Sequence, residues 1–433
     1  YGTLDKLNAS WWTGFWSHKY TDWDQIHSPS PQGECLTTAL TLDWKRFSSE
    51  QITDFCKMEA DALREFSDLP TTTNMMGFFK GVDYNTLKNA VDIISWDNYP
   101  FWHERKDEVP EAVYTSAGHA LMRSLKREPF LLMESTPSSV SWRSHNPLKR
   151  PGMHMLSSMQ AVAHGADSVQ YFQWRKSRGG YEKFHGAVVD HKNGSDTRTF
   201  REVTEVGKRL EHLSGGIKTF LNRAKAAIVF DWENWWAVED TSGPRQDLDY
   251  VKCVTDHYRA FWECGLDVDF VSMDDDFSGY RLLAAPLNYM YKKGYSEKVR
   301  AFVEAGGTYV TTYFSGIVNE TDLCFIGRHP LEDVLGVVSE EMDAPSKEFE
   351  NCFDYNGKEY PAYTMCDIVH AKAKTEIYSV YKKDFYKGCP VVTENAYGSG
   401  RAYYLSAESD QRFLSAFYKD VFIKAGLLKE ASS

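Results

Sequence analysis

PFLLMES, residues 129–135, sets the apolar run Phe130–Met133 between a proline and a polar turn that opens with Glu134. A run this short, closed on its C-terminal side by Ser135, Thr136 and Pro137, reads as a buried strand. TTTNMMG (71–77), DIISWDNYP (92–100) and DSVQYFQWR (167–175) have the same character. Helical patterns separate and follow them: DYNTLKNAV (83–91), AVYTSAGHALMRSLK (112–126), PGMHMLSSMQAVAHG (151–165) and FREVTEVGKRLEHLSG (200–215). Strand and helix in strict alternation predict a parallel sheet. Four such units with no dinucleotide glycine fingerprint favour half of a (β/α)8 barrel over a doubly wound sheet. Upstream, residues 43–66 place Phe47, Ile52, Phe55, Ala60 and Leu63 near helical spacing, which predicts an amphipathic helix.

A second pattern begins after the Gly215-Gly216 break. AKAAIVFDWENWW (224–236), LDVDFV (266–271), RLLAAPLNYMY (281–291, carrying Pro286) and TYVTTYF (308–314) read as strands. DYVKCVTDHYRAFWECG (249–265) and SEKVRAFVEAGG (296–307) read as helices between them. The tail adds the strand-like runs EIYSVYKK, PVVTENAY and GRAYYLS and ends on the helix DQRFLSAFYKDVFIKAGL. The fold class expected is therefore α/β: half of a TIM barrel within residues 1–213, then a flavodoxin-like domain over 220–427.

At 433 residues the chain is too long for one ordinary core, in keeping with two domains. With 49 Lys and Arg against 61 Asp and Glu, the net charge is −12 and no basic stripe stands out. That balance repels phosphate backbones and anionic lipid, so neither nucleic acid nor a membrane is expected as partner. No apolar run approaches the ~20 residues of a membrane span. No signal peptide is visible and a cytoplasmic location is expected, but the opening YGTLDKLN lacks Met, so the native N-terminus is expected upstream. Eight scattered cysteines without a C-x-x-C pair read as buried free thiols. MDDDFSGY (273–280) lacks the glycine and closing glutamate of a calcium loop and reads as a solvated acidic turn. Asn8, Asn193 and Asn319 head formal glycosylation sequons to which no function is assigned. No metal and no cofactor are expected.

In a (β/α) barrel, groups that do chemistry sit at the C-terminal ends of strands. Glu134 ends one strand and Asp97 the one before it, so both face the same mouth. A carboxylate there suits attack on an anomeric carbon, and glycosidases use two carboxyl groups to divide attack from protonation. RGGYEKFHG (178–186) brings Glu182 and His185 into a Gly-flanked loop, able to aim two polar side chains at vicinal hydroxyls. With aromatics at 15% of the chain, 13 of them Trp, flat faces for sugar rings are plentiful.

SWDNYPFWHE (95–104), the stretch from LLMES (131) to VVDH (191) and YGTLDKLNASWWTGFWSHKYTDWDQI (1–26) closely resemble the β-galactosidases of glycoside hydrolase family 42, over nearly all of residues 1–213. The resemblance implies a retaining β-galactosidase that releases terminal non-reducing β-D-galactose from galactoside oligosaccharides by double displacement. It puts the nucleophile at Glu134, Trp16 and Trp142 along the sugar pocket, Asp97 and Tyr99 beside it, and Glu182 and His185 on galactose hydroxyls. Gln173 stands where many relatives carry a basic residue, and Trp12 where a smaller one is common. Residues 220–427 resemble the family's middle domain, related to class I glutamine amidotransferases and associated with trimers. The stretch directly after TYVTTYF, SGIVNE (315–320), holds no cysteine for an amidotransferase nucleophile, so that domain reads as structural and a homotrimer is expected.

The family's acid/base is the Glu of an Asn-Glu pair expected before residue 1. Asn319-Glu320 falls in the amidotransferase-like region and reads as a chance match. Zinc, where relatives carry it, and the remaining barrel strands are expected in that same upstream part, and a small β domain after Ser433. Two alternatives stay open: a catalytically incomplete fragment that only binds sugar or assembles oligomers, and a preference for α-L-arabinopyranosides on the same scaffold.

Overall fold

The structure, a computed structural model, describes residues 1–30, 37–102, 107–192, 194–214 and 224–429. Cys35, the Asn193 sequon and the Gly215-Gly216 break lie outside the described residues. The chain opens with α1 (Leu4–Ser10) and α2 (Thr38–Arg64) and divides into two compact units. One comprises Ile52–Phe79 with Tyr84–Arg223; the other comprises Tyr1–Gln51, Lys80–Asp83 and Ala224–Ser433.

In the first unit, β1 (Asn74–Met75), β2 (Ser95–Asp97), β3 (Phe130–Glu134) and β4 (Ala166–Val169) form a parallel sheet in sequential order. The intervening helices are α3 (Tyr84–Leu87), α4 (Val109–Lys126) and α5 (Met153–Ala163), and α6 (Arg198–Ser214) follows. These are the four β-α units expected of half a barrel. The fourth strand is shorter than DSVQYFQWR: it leaves the ladder at Val169. Beyond it, Gln170 N–H still donates to Leu132 O (2.9 Å) and Phe172 N–H to Ser135 O (3.0 Å). α4 packs closely on β2 because Gly118 has no side chain. A Cβ there would stand 2.7 Å from Trp96 Cη2, inside contact distance. The α2 stripe forms as a helix, yet Phe47, Ile52, Phe55 and Leu63 are largely exposed and only Ala60 is buried.

In the second unit β5 (Ala226–Val229), β6 (Val268–Val271), β7 (Leu282–Ala285) and β9 (Thr308–Thr312) lie parallel, with β8 (Met290–Tyr291) and β10 (Val318–Asn319) paired beside them. β14 (Glu376–Val380), β15 (Pro390–Tyr397) and β16 (Gly400–Leu405) extend the main sheet, giving the order β14-β15-β16-β9-β7-β5-β6. A second, antiparallel sheet, absent from the sequence reading, has the order β11-β13-β12. It is built from β11 (Val337–Asp343), β12 (Asn351–Tyr355) and β13 (Lys358–Ala371), with β17 (Ala407–Glu408) paired to β13. The helices are α7 (Trp232–Asp240), α8 (Tyr250–Glu263), α9 (Tyr295–Glu304), α10 (Glu332–Leu335) and α11 (Gln411–Lys424).

Two predicted strands need correction. DWENWW is the start of α7: Asp231 leaves the strand and its carboxylate accepts from Glu233 N–H (3.0 Å) and Asn234 N–H (3.4 Å), an N-cap that turns the chain into a helix. RLLAAPLNYMY is two strands, since Pro286 has no N–H for the ladder and β7 ends just before it. The thiols are also not uniformly buried: Cys352 and Cys366 are, but Cys324 is exposed. Among the described residues no helix is long and apolar enough to cross a membrane, and no group of three His, Cys, Asp or Glu could hold a metal.

An ion network closes the C-terminal ends of β5 and β6. Lys292 Nζ reaches Asp231 (3.0 Å), Glu233 (2.8 Å) and Asp274 (3.1 Å), and Arg46 of α2 holds Glu233 and Asp43. Burial pushes the Asp231 carboxyl up, and Lys292 pulls it back. Removing the cation strands a buried carboxylate, which costs about 3–5 kcal/mol. Lys292→Met should therefore lower unfolding stability by about that amount in urea titration, and adding Asp231→Asn should restore part of it. A stability loss below ~1 kcal/mol for Lys292→Met would contradict the role given to the network.

Candidate active site

The site starts from strand register. β2 and β3 are parallel neighbours with Asp97 opposite Glu134, so two carboxylates meet at the C-terminal edge of the sheet. Each strand is buried up to that point, Ser95 and Trp96 in β2 and Leu132 in β3, and the carboxylates only partly so. Asn98 N–H donates to Glu134 O (2.9 Å), which fixes the turn after β2.

Both oxygens of Glu134 are held. Tyr99 donates its hydroxyl to Oε2 at 2.5 Å, and Asn74, the first residue of β1, donates Nδ2 to Oε1 at 3.3 Å. The same Asn74 amide donates to Asp97 Oδ1 (2.9 Å) and Oδ2 (3.1 Å). Asn74 is a site residue that the sequence reading passed over within TTTNMMG.

Aromatic rings form the wall. Tyr99 meets Trp142 edge-on at 4.8 Å and His185 at 5.8 Å, while Trp142 lies 5.1 Å from His185. Phe172 closes the far side of His185 at 5.0 Å. Trp142 is 41% exposed and presents an open face, whereas His185 is fully buried. Neither ring nitrogen of His185 has a hydrogen-bond partner at good geometry, an unusual state for a buried imidazole. Burial lowers its pKa, opposed in part by the Glu182 carboxylate and the Phe172 backbone, so the ring is neutral near pH 7. Glu182 is tied to the same group by the turn in which His185 N–H donates to Glu182 O (2.9 Å). Its charge, with those of Glu134 and Asp97, raises the Tyr99 phenol beyond the effect of burial. Arg143, whose guanidinium lies 4.4 Å over the Phe101 ring, donates to Tyr99 O and steadies the turn from behind.

The first unit thus brings together Glu134, Asp97, Tyr99, Trp142, Glu182 and His185. Trp16 belongs to the other compact unit, where it is 67% exposed and stacked on Phe15 at 4.7 Å. Gln173 lies beyond the cis peptide Phe172-Gln173, its amide nitrogen buried without a partner.

A family profile described as β-galactosidase matches residues 1–213, and one described as β-galactosidase trimerisation domain matches residues 224–428. The chain belongs to glycoside hydrolase family 42. The family-42 chain is 47% identical to β-galactosidase BglY of Alicyclobacillus acidocaldarius over 99% of its own length and 64% of that protein's. It is 46% identical to β-galactosidase Pbg of Clostridium perfringens, over 98% and 63%. Its fold superposes on the crystal structure of a β-galactosidase from Rahnella sp. R3 with a TM-score of 0.95 at 49% identity, over 99% of this chain and 64% of that one. The chain therefore spans a little under two thirds of the length of these relatives.

Within this family-42 site the charge pair has a measurable consequence. Burial first, and the Glu134 charge second, push the Asp97 carboxyl up to about 6, while Asn74 pulls it down. Its ordinary value is near ~4. Between those two values the folded protein keeps a proton that the unfolded chain releases, so raising the pH costs the folded state stability. Asp97→Asn removes that cost. The stability difference, Asp97→Asn minus parent, should rise from pH 4 to pH 6 and level off above pH 7 in urea unfolding. A difference independent of pH would contradict the coupling.

Proposed function

We propose that the protein containing this chain is a retaining β-galactosidase and that Glu134 is its nucleophile. The observation that carries the reading is the clamp on Glu134: Tyr99 on one oxygen, Asn74 on the other, beside an aromatic wall open on the face of Trp142. A carboxylate held at both oxygens cannot swing, which keeps it near the attack line on an anomeric carbon. The match of the chain to β-galactosidases at 40–47% identity supports galactosides as substrates.

In the first step Glu134 attacks the anomeric carbon and the aglycone leaves with a proton; in the second, water releases galactose. Neither step calls for a metal or cofactor. The apolar face of the sugar lies on Trp142. Glu182 and His185 take hydroxyls: the unpartnered nitrogens of His185 wait for them, and a sugar with an epimeric hydroxyl leaves these buried groups unpaired. Asp97 is not the proton donor in this arrangement, because Asn74 occupies the space between it and Glu134, whereas the two carboxyl groups of a retaining enzyme flank the scissile bond about 5–5.5 Å apart. The acid is assigned to the family's Asn-Glu pair, outside this sequence. The match of residues 224–428 to the trimerisation domain supports a homotrimer.

In the full-length protein, Glu134→Ala should remove nearly all turnover of p-nitrophenyl β-galactoside without unfolding. Azide should restore part of it and give the galactosyl azide of inverted configuration; wild-type turnover in this variant would end the assignment. Glu182→Ala and His185→Ala should each lower kcat/KM for galactosides by ~1–3 kcal/mol of transition-state binding. Unchanged kinetics in both variants would reduce the pair to a loop element.

A further inference from the structure

Lys149 is 2% exposed, yet the clamp on Glu134 does not use it. A buried ammonium is costly, so its contacts mark what it is kept for. Its Nζ donates to Thr136 O at 2.6 Å, two residues after Glu134, and its backbone N–H donates to Ser138 O at 3.1 Å. Arg198, paired with Glu202 at 2.9 Å, donates to Lys149 O at 3.0 Å and anchors it on α6. Burial lowers the Lys149 pKa to about 7, with Glu202 opposing.

The segment that Lys149 holds joins the two halves of the site. Thr136 Oγ1 donates to Ser139 O (3.0 Å), and that same carbonyl receives Gly186 N–H at 2.7 Å. Gly186 follows His185 directly. A Cβ at Gly186 would stand 2.3 Å from Ser138 Oγ and 2.8 Å from Ser139 N, so only glycine lets the two loops touch. Phe172 N–H, donating to Ser135 O at 3.0 Å, pins the beginning of the segment. Residues 135–139 therefore run from the nucleophile to the loop of Glu182 and His185, and the Lys149 ammonium sits under their middle.

We propose that Lys149 is a positioning residue for the reaction: by holding the Thr136 carbonyl it sets the distance between the Glu134 carboxylate and the Glu182/His185 loop. The inference rests on the reading of Glu134 as nucleophile. Displacing reacting groups by ~1 Å costs on the order of 10²-fold in rate, so loosening this segment should act on kcat.

The test is Lys149→Met in the full-length protein, with competent sites counted by stoichiometric trapping with a 2-deoxy-2-fluoro-galactosyl fluoride and kcat expressed per trapped site. A role confined to stability lowers the number of competent sites and leaves kcat per site unchanged. Positioning lowers kcat per site by roughly 10- to 100-fold with KM within about threefold, and Lys149→Arg, which keeps a cationic donor, recovers much of it. Thr136→Val removes the hydroxyl tie to Ser139 without unpairing a buried cation, and should lower kcat per site in the same sense; it decides the matter if Lys149→Met does not fold. Wild-type kcat per site in the folded variants overturns the proposal while leaving Glu134 untouched. Wild-type turnover in Glu134→Ala overturns the nucleophile itself.

Discussion

Parallel pairing of β2 with β3 places Asp97 against Glu134, and two carboxylates so close repel each other. The site is organised around relieving that repulsion. Asn74 donates to both, Tyr99 donates to one, and the cost falls on Asp97, whose carboxyl is pushed up to about 6. The donors also hold Glu134 still, so the arrangement that makes two charges tolerable aims one of them. Next to Asp97 in β2, Trp96 is buried against α4, where Gly118 makes room for its ring.

The second unit makes opposite use of strand ends. In flavodoxin-like sheets ligands bind in the crevice beyond the C-terminal ends of the parallel strands. Here that edge is filled by protein: Lys292 bonds Asp231, Glu233 and Asp274, while Asn234 donates to Leu287 O (3.1 Å) and accepts from Met290 N–H (2.9 Å). The polar groups there satisfy one another.

Much of this was legible in the sequence because short apolar runs ended by a carboxylate have few readings. All four barrel-type strands, the helices between them, and the positions of Asp97 and Glu134 came from that pattern. Where it failed, local chemistry outweighed periodicity. In DWENWW an aromatic run suggested a strand, but Asp231 caps a helix. The β12–β13 hairpin was missed although Asn356-Gly357, with φ of 49° and 74°, is a strong turn signal between alternating strands. Asn74 was overlooked because an uncharged residue in a polar run carries no mark of its partners. Lys149 could not have been found at all, since KRPG on the page is a basic turn and its burial is decided by tertiary packing. The Gly-flanked loop pointed to Glu182 and His185, the resemblance placed Trp142 along the sugar pocket, and the geometry gathers Trp142 and His185 around Tyr99.

The most direct test of the central claim is to trap the intermediate. The full-length protein, incubated with a 2-deoxy-2-fluoro-β-galactosyl fluoride and digested, should yield one peptide heavier by a fluorogalactosyl group, with fragmentation placing the ester on Glu134. A stable adduct on Asp97, Glu182 or another carboxylate would contradict the assignment of the nucleophile.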